Sequence, residues 1–283
     1  MTSSRENTAG IMSFREYLTY PMKPSLSIMT YNIRGALYDD GSNSWPYRAP
    51  LNVRLIQQHA PDLIGFQEVH QENLAIFQDN HGYTQLIGTP YNDKAPFQYT
   101  TIAWNSQHLR LIDSGGFWLS ETPEVHSRSW DTSCIRSATW AKLEWQDTGL
   151  TFLHLNTHLD HMSEQARVEG TQLILHFLEK VNLPLVVTGD FNCPPASDAY
   201  RLFSEHGFGD TFLLAGNHGV QWTYHGYLGR AFTPHKLDFD RIDWILLREW
   251  PAGMHLESYT VVEDATPPLY PSDHYPIIAK LTL

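Results

Sequence analysis

The chain has 283 residues, 42% hydrophobic and 18% charged, an ordinary composition for a folded soluble protein, and no stretch approaches the roughly 18 uninterrupted apolar residues of a membrane span. Its 31 acidic residues outnumber 19 basic ones, for a formal net charge of -12, which argues against indiscriminate capture of long nucleic acids by a general positive field. Two cysteines, Cys134 and Cys193, are too few for a disulfide framework, lack zinc-ligand spacing, and read as buried free thiols.

In chain order, residues 1–25 are a polar leader through which no apolar signal core can be drawn, so a cytoplasmic location is expected. Residues 26–33 (LSIMTYNI) combine apolar and strand-forming side chains and end at Arg34-Gly35, a strand running into a loop. Residues 47–59 have helical character and stop ahead of Pro61. Further strands are expected at 63–67, 101–104, 139–145 and 151–157. Residues 163–181 (SEQARVEGTQLILHFLEKV) follow as an amphipathic covering helix with Ser163 as its N-cap. The last strands are placed at 185–189, 242–247, 258–262 and 277–281. Many short strands with a few helices point to two sheets packed face to face and flanked by helices. No internal repeat or low-complexity linker divides the chain, so 26–283 is expected to form one domain.

Several of these strands carry the same chemistry at their ends. Tyr31-Asn32 closes the first, Gln67-Glu68 the second, Thr157-His158 another, and Gly189-Asp190-Phe191-Asn192 another. Ile242-Asp243 lies within a further strand, and Ser272-Asp273-His274 precedes the last. Apolar strands are rigid supports that aim polar groups into one cleft. The oxygens of Glu68, Asp190, Asn192 and Asp273 suit Mg2+ or Mn2+, and His158 and His274 can donate hydrogen bonds to a phosphate or move protons. Each piece alone has an ordinary explanation, a turn cap for Gly-Asp-x-Asn or Ser-Asp-His and a satisfied strand histidine for Thr-His. The ordered set is what points to hydrolysis at phosphorus.

Read together, MTYNIRG, DLIGFQEV, NTHLDH, VVTGDFN, RIDWIL and PSDHYPI resemble, in order, the motifs of the endonuclease/exonuclease/phosphatase superfamily, in a bacterial and fungal branch. The resemblance implies an α/β (α+β) fold, a four-layered α/β/β/α sandwich of two packed, mainly antiparallel sheets with a cleft at one edge. It implies Mg2+ (or Mn2+) as cofactor, with Glu68 as principal ligand, Asn32 beside it, and Asp273 as either a second ligand or the partner of His274. It casts Asp190 as the residue that orients or deprotonates the attacking water, and Asn192 as a contact to the scissile phosphate. His158 and His274 would stabilise pentacoordinate phosphorus, and Asp243 would support the metal site and phosphate contacts. Many relatives orient the Thr-His histidine with an acidic residue, where this chain offers Gln98. An amide oxygen can accept a hydrogen bond from an imidazole but cannot stabilise an imidazolium by charge.

Two segments bear on the substrate. Within 117–140, Trp118, Trp130, Asp131 and Arg136 either line a pocket, with Arg136 as a bidentate phosphate donor, or are buried tryptophans beside a structural Arg-Asp pair. Within 221–236, Trp222, Tyr224, His225, Tyr227, Arg230 and Lys236 either stack a base or sugar ring and hold a second phosphate, or belong to a plain surface loop. Turn duty is expected of Asp160 and His161 ahead of extra metal binding. The expected function is divalent-metal-dependent hydrolysis of a phosphate ester, as a phosphodiesterase or phosphatase, on a phosphorylated small molecule or glycoconjugate, by a monomer. A nuclease acting on DNA or RNA and a catalytically silent binding module are the alternatives.

Overall fold

The computed structural model describes residues 23–77, 82–233 and 241–283; most of the polar leader, and Lys236, lie outside the described residues. In chain order the main elements are β1 (Ser25–Asn32), α1 (Trp45–His59), β2 (Leu63–His70), β3 (Tyr83–Pro90), β4 (Gln98–Asn105), β5 (Leu109–Trp118), β6 (Ser137–Trp145) and β7 (Leu150–His158). There follow α2 (Glu164–Leu178), β8 (Leu185–Asp190), α3 (Asp198–Glu205), β9 (Gly209–Asp210), α4 (Thr211–Leu214), β10 (Asp243–Arg248), β11 (His255–Val261) and β12 (Ile277–Thr282). One sheet runs β11-β12-β1-β2-β4-β3 and the other β5-β6-β7-β8-β10-β9. Each is antiparallel except for one central parallel pair, β1 with β2 and β7 with β8.

Three hydrophobic layers fill the spaces of a four-layered α/β/β/α sandwich. Leu26, Ile28, Leu63, Ile102 and Trp104 of the first sheet pack against Leu143, Trp145, Phe152, Val186 and Ile245 of the second. Outside the first sheet, Trp45, Leu55 and Ile56 of α1 cover Met29, Tyr31, Ile64 and Phe66. Outside the second, α2 and α3 lay Ile174, Leu175, Leu178 and Phe203 on Leu153, Leu155, Val187 and Trp244. The α1 helix begins with Pro at its first turn, buries Arg48, Leu51, Asn52, Leu55 and Ile56 on one face, and stops where Ala60 turns left-handed ahead of Pro61. In α2 the Ser163 hydroxyl accepts from Ala166 N, the expected N-cap.

Because strand side chains alternate, each central strand carries one row between the sheets. Those rows change character toward one end. In β1 the row reads Leu26, Ile28, Thr30, Asn32; in β8 it reads Val186, Thr188, Asp190; in β7 it reads Phe152, His154, Asn156, His158; in β10, from the far end, it reads Leu247, Ile245, Asp243. Apolar packing therefore gives way to a buried polar layer, and that layer to the candidate catalytic groups. Within the layer, Asn156 Nδ2 on the second sheet donates to Phe66 O (2.7 Å) and Thr101 O (3.0 Å) on the first. Its Oδ1 accepts from Gln67 Nε2 (2.8 Å) and Thr188 Oγ1 (3.1 Å).

The nine expected strands are present, most extended by a few residues. Sequence reading missed β3, β5 and β9, all at sheet edges, where half-solvated strands lack a strong apolar signature. It also missed the short α3 and α4, and of the two thiols expected to be buried Cys193 is, whereas Cys134 is exposed.

Gly65 allows the sheets to approach. A Cβ there would collide with Thr188 Oγ1 and lie 2.7 Å from Asn156 Oδ1. Gly65→Ala is predicted to lower unfolding stability by about 1–3 kcal/mol, the usual range for overpacking, as read from urea denaturation. A stability equal to wild type would mean that the polar layer does not set the sheet spacing.

Candidate active site

The C-terminal ends of β1, β2, β7 and β8 open on a cleft of about 1000 Å³. Its lining includes Glu68, Gln98, Arg136, His158, Asp190, Asn192, Tyr224, Asp273 and His274. All nine were singled out from sequence, and they face one space. Asn32 and Asp243 sit just behind this wall, each 1% exposed.

Asn32 ties the two sheets together at the cleft floor. Its Nδ2 lies 2.9 Å from Asp190 Oδ2, 3.3 Å from Glu68 Oε1 and 3.5 Å from His274 Nε2, while its Oδ1 accepts from Arg34 N (3.1 Å). Glu68 follows a break in the β2·β4 register and has φ 61°, a conformation that costs an ordinary residue energy and re-aims its side chain into the cleft. Arg34 (φ 55°) and Asn192 (φ 51°) share this strain at the same cleft. Glu68 Oε2 is buried without a hydrogen-bond partner, and Arg34 stands 3.9 Å from it and from Asp273 Oδ2. An orphaned carboxylate oxygen beside a second carboxylate is a hard-oxygen donor set that fits a divalent cation.

His274 is held between two carboxylates, with Nδ1 at 3.0 Å from Asp243 Oδ2 and Nε2 at 3.7 Å from Asp190 Oδ2. Burial pushes its pKa down, but Asp243 and then Asp190 outweigh it and raise the imidazole to about 10. Ligand atoms of Asp190, Asp243 and His274 lie within 4.8 Å of one another, close enough for a metal as well as for the ion pair of His274 with Asp243. Of the two roles open for Asp273, partnership with His274 falls to Asp243 instead. Asp273 faces Arg34 and accepts from Ser272 Oγ (3.2 Å). Burial raises the Asp190 carboxyl, with His274 opposing and Asp243 reinforcing the rise. Asn192 N on its Oδ1 (3.0 Å) and Asn32 on its Oδ2 fix its plane.

His158 has an excess of donors around it. Arg136 Nη1 stands 3.1 Å from Nδ1 and Asn192 Nδ2 stands 2.9 Å from Nε2. Burial, then Arg136, His274 and His161, hold its pKa well below the usual value, so the ring is neutral and owns a single lone pair. Two obligate donors compete for it, and turning the Asn192 amide would set its oxygen against Leu159 O, which Nδ2 now meets at 3.0 Å. An anion in the cleft would relieve the competition. Gln98 does not orient His158: its Nε2 donates to Tyr38 Oη (2.9 Å) and Glu68 O (3.3 Å), and the position against Nδ1 belongs to Arg136.

The sequence of residues 29–274 matches the model of the Endonuclease/Exonuclease/phosphatase family. The chain belongs to this family. A family protein of Bacteroides vulgatus is 32% identical with a TM-score of 0.81, over 92% of this chain and 100% of that one. A mannosyl-6-phosphatase of Bacteroides thetaiotaomicron is 28% identical with a TM-score of 0.81, over 91% and 100% of the two chains. Zebrafish TDP2, solved with a single-strand DNA product, shares the fold at 17% identity and a TM-score of 0.73, over 92% and 99%. No curated protein sequence matches the chain. Members of the family are hydrolases of phosphate esters, nucleases among them.

The substrate segments divide. Arg136 is buried in the cleft without the structural Asp partner considered for it, whereas Trp118 donates to Pro90 O (2.9 Å) and Trp130 and Asp131 make a left-handed turn outside the lining. Tyr224 faces the cleft, its ring 5.1 Å from that of His274. Trp222 does not; it packs edge-on against Phe232. Arg230 pairs with Glu263 at the surface, and Tyr227 donates to Asp40. Cleft residues that sequence reading left unassigned include Arg34, inside a motif already singled out, with Tyr38, Tyr91 and Arg167, which carry no local signature.

Asp160 performs turn duty. Its Oδ1 accepts from Ser133 N and Oγ and from Cys134 N, and its Oδ2 from Met162 N and Ser163 N, at 2.6–3.2 Å. Burial pushes its carboxyl up, and the bonds from Ser133, Ser163 and Met162 more than reverse this, leaving it far below the usual range. A depressed folded pKa gives stability that is present above the unfolded value and lost as pH falls toward the folded one. Asp160→Asn is therefore predicted to cost about 2 kcal/mol at neutral pH, with the gap from wild type closing below about pH 4. Urea midpoints across that range test it, and a gap independent of pH would refute it.

Proposed function

We propose that the chain is a divalent-metal-dependent hydrolase that cleaves a phosphate ester of a small or modest-sized molecule by in-line attack of an activated water. Its catalytic domain is 26–283, the monomer is the working unit, and the cation is Mg2+ or Mn2+. The observation that carries this reading is the meeting of Glu68, Asp190, Asn192, His158, Asp273 and His274, drawn from both sheets, around one cleft.

Glu68 and Asp273 would hold the cation, with the Asn32 amide steadying Glu68. When bound it would neutralise charge on the phosphate oxygens. The other roles belong to the protein's own groups. Asp190, fixed by Asn32 and Asn192 and made more basic by burial, takes the proton of the attacking water. The Asn192 amide and His158 meet the phosphate oxygens. His274, held as an imidazolium by Asp243, donates toward the charge that develops at phosphorus or on the leaving oxygen. Arg136, Gln98 and Tyr224 border the substrate; Trp222 is withdrawn from that role by its place outside the cleft.

The acidic net charge and the similarity to a mannosyl-6-phosphatase favour a small phosphorylated substrate such as a sugar phosphate or glycoconjugate. The nuclease alternative leans on fold likeness to a DNA-bound protein at lower identity. The silent-module alternative rests on the Gln98 departure alone, and Gln98, bonded to Tyr38 and to Glu68 O, leaves the groups assigned to the cation and the water in place.

Turnover of p-nitrophenyl phosphate and its bis ester with Mg2+ or Mn2+, abolished by EDTA, is the expected result. Asp190→Asn and His274→Ala are each predicted to reduce kcat by about 10²–10⁴-fold with circular dichroism unchanged. Near-wild-type rates in either folded variant, or no turnover with any divalent ion, would refute the reading.

A further inference from the structure

A buried positive charge stands in the cleft without a negative partner. Arg136 is 7% exposed. Its Nη1 and Nη2 meet only imidazole nitrogens, His158 Nδ1 at 3.1 Å and His161 Nδ1 at 3.3 Å. Its Nε has no hydrogen-bond partner, and the Tyr91 ring lies 5.6 Å from its carbon. Among the described residues no carboxylate pairs with it. A desolvated guanidinium is costly unless charge-balanced, and the protein leaves that balance to be supplied from the cleft.

Two further groups stand beside it. Arg167 lines the same wall, donating from Nη1 to Asp160 O (2.9 Å) and forming no ion pair among the described residues. His161 meets Ser133 Oγ at 3.2 Å. The five bonds accepted by Asp160 hold the loop that carries His161 against the one that carries Arg136, so the wall is built. It lies beyond the Nδ1 edge of His158, whereas the Asp190 and Asn192 groups assigned to the reacting phosphate lie at the Nε2 edge. Among the described residues of the loop at 221–236, considered for a second phosphate, Arg230 is neutralised by Glu263 on the surface.

We propose that Arg136, Arg167 and His161 form a second anion subsite, which binds a phosphate or carboxylate group of the substrate other than the one hydrolysed. The preferred substrates are then small molecules bearing two anionic groups. This rests on the placement of the reacting phosphate at Asp190 and Asn192. The subsite also relieves the donor excess at His158, because an anion there accepts from Arg136.

Two measurements on purified protein test it. The first is calorimetric titration with inorganic phosphate and with pyrophosphate. The second is turnover, with Mg2+, of fructose 6-phosphate against fructose 1,6-bisphosphate. Both ligand pairs are predicted to favour the doubly anionic member by about tenfold, the advantage shrinking to about twofold in Arg167→Gln, whose side chain is only half-buried, and in Arg136→Gln. Equal affinities, an advantage untouched in both folded variants, or a preference for an oligonucleotide over the bisphosphate would overturn the subsite. A binding preference without turnover of any ester would sink the hydrolase reading and leave the subsite standing. Turnover of monophosphates with no such preference would do the reverse.

Discussion

The two sheets are held in register by a layer of buried hydrogen bonds, and everything at the cleft inherits its geometry from that layer. Hydrophobic contact between sheets is strong but non-directional; alone it would let one face slide against the other. Asn156 removes that freedom by donating across the gap to two backbone carbonyls of the opposite sheet while accepting from Gln67 and Thr188. His154 extends the network to Thr188 at 2.7 Å. Any shift would strand several buried polar atoms at once, each at a cost of about 1–3 kcal/mol. One step further along the same strands stand Asn32, His158 and Asp190.

The cleft that results is electrostatically divided. One side gathers the carboxylates of Glu68 and Asp273 with Arg34 between them, a place for a cation. The other gathers Arg136, Arg167 and the His158 and His161 rings, a place for anions. Asp190 and His274 lie where the two meet, and both hold a proton more readily than usual, Asp190 because it is buried and His274 because Asp243 and Asp190 outweigh its burial. A phosphate ester with its cation satisfies both sides, which is why the orphaned oxygen of Glu68 and the surplus donors at His158 belong to one explanation.

Much of this was legible in the sequence, for a physical reason. Strand alternation places Asn32 in the same row as Leu26 and Ile28, and Asp190 in the same row as Val186, so apolar strands ending in polar groups already describe supports with chemistry at their tips. The edge strands β3, β5 and β9 were not legible, because half-solvated strands carry weak patterns; β5 even contains Gly115 and Gly116. Partner choice was not legible either. Nothing local says that Asp243 rather than Asp273 would bind His274, or that Gln98 would turn to Glu68 and leave the His158 ring to Arg136. Those pairings depend on how strands far apart in sequence line up, which is set by the inter-sheet layer.

The most direct test of that dependence is the turnover of Asn156→Leu, measured where circular dichroism and urea titration confirm that it is folded. The substitution keeps the volume but deletes the hydrogen bonds that fix one sheet against the other, while touching none of the groups assigned to the chemistry. A loss of about 10²-fold in kcat/KM is predicted, as for a displacement of catalytic groups by about 1 Å. Wild-type turnover in the folded variant would contradict the account.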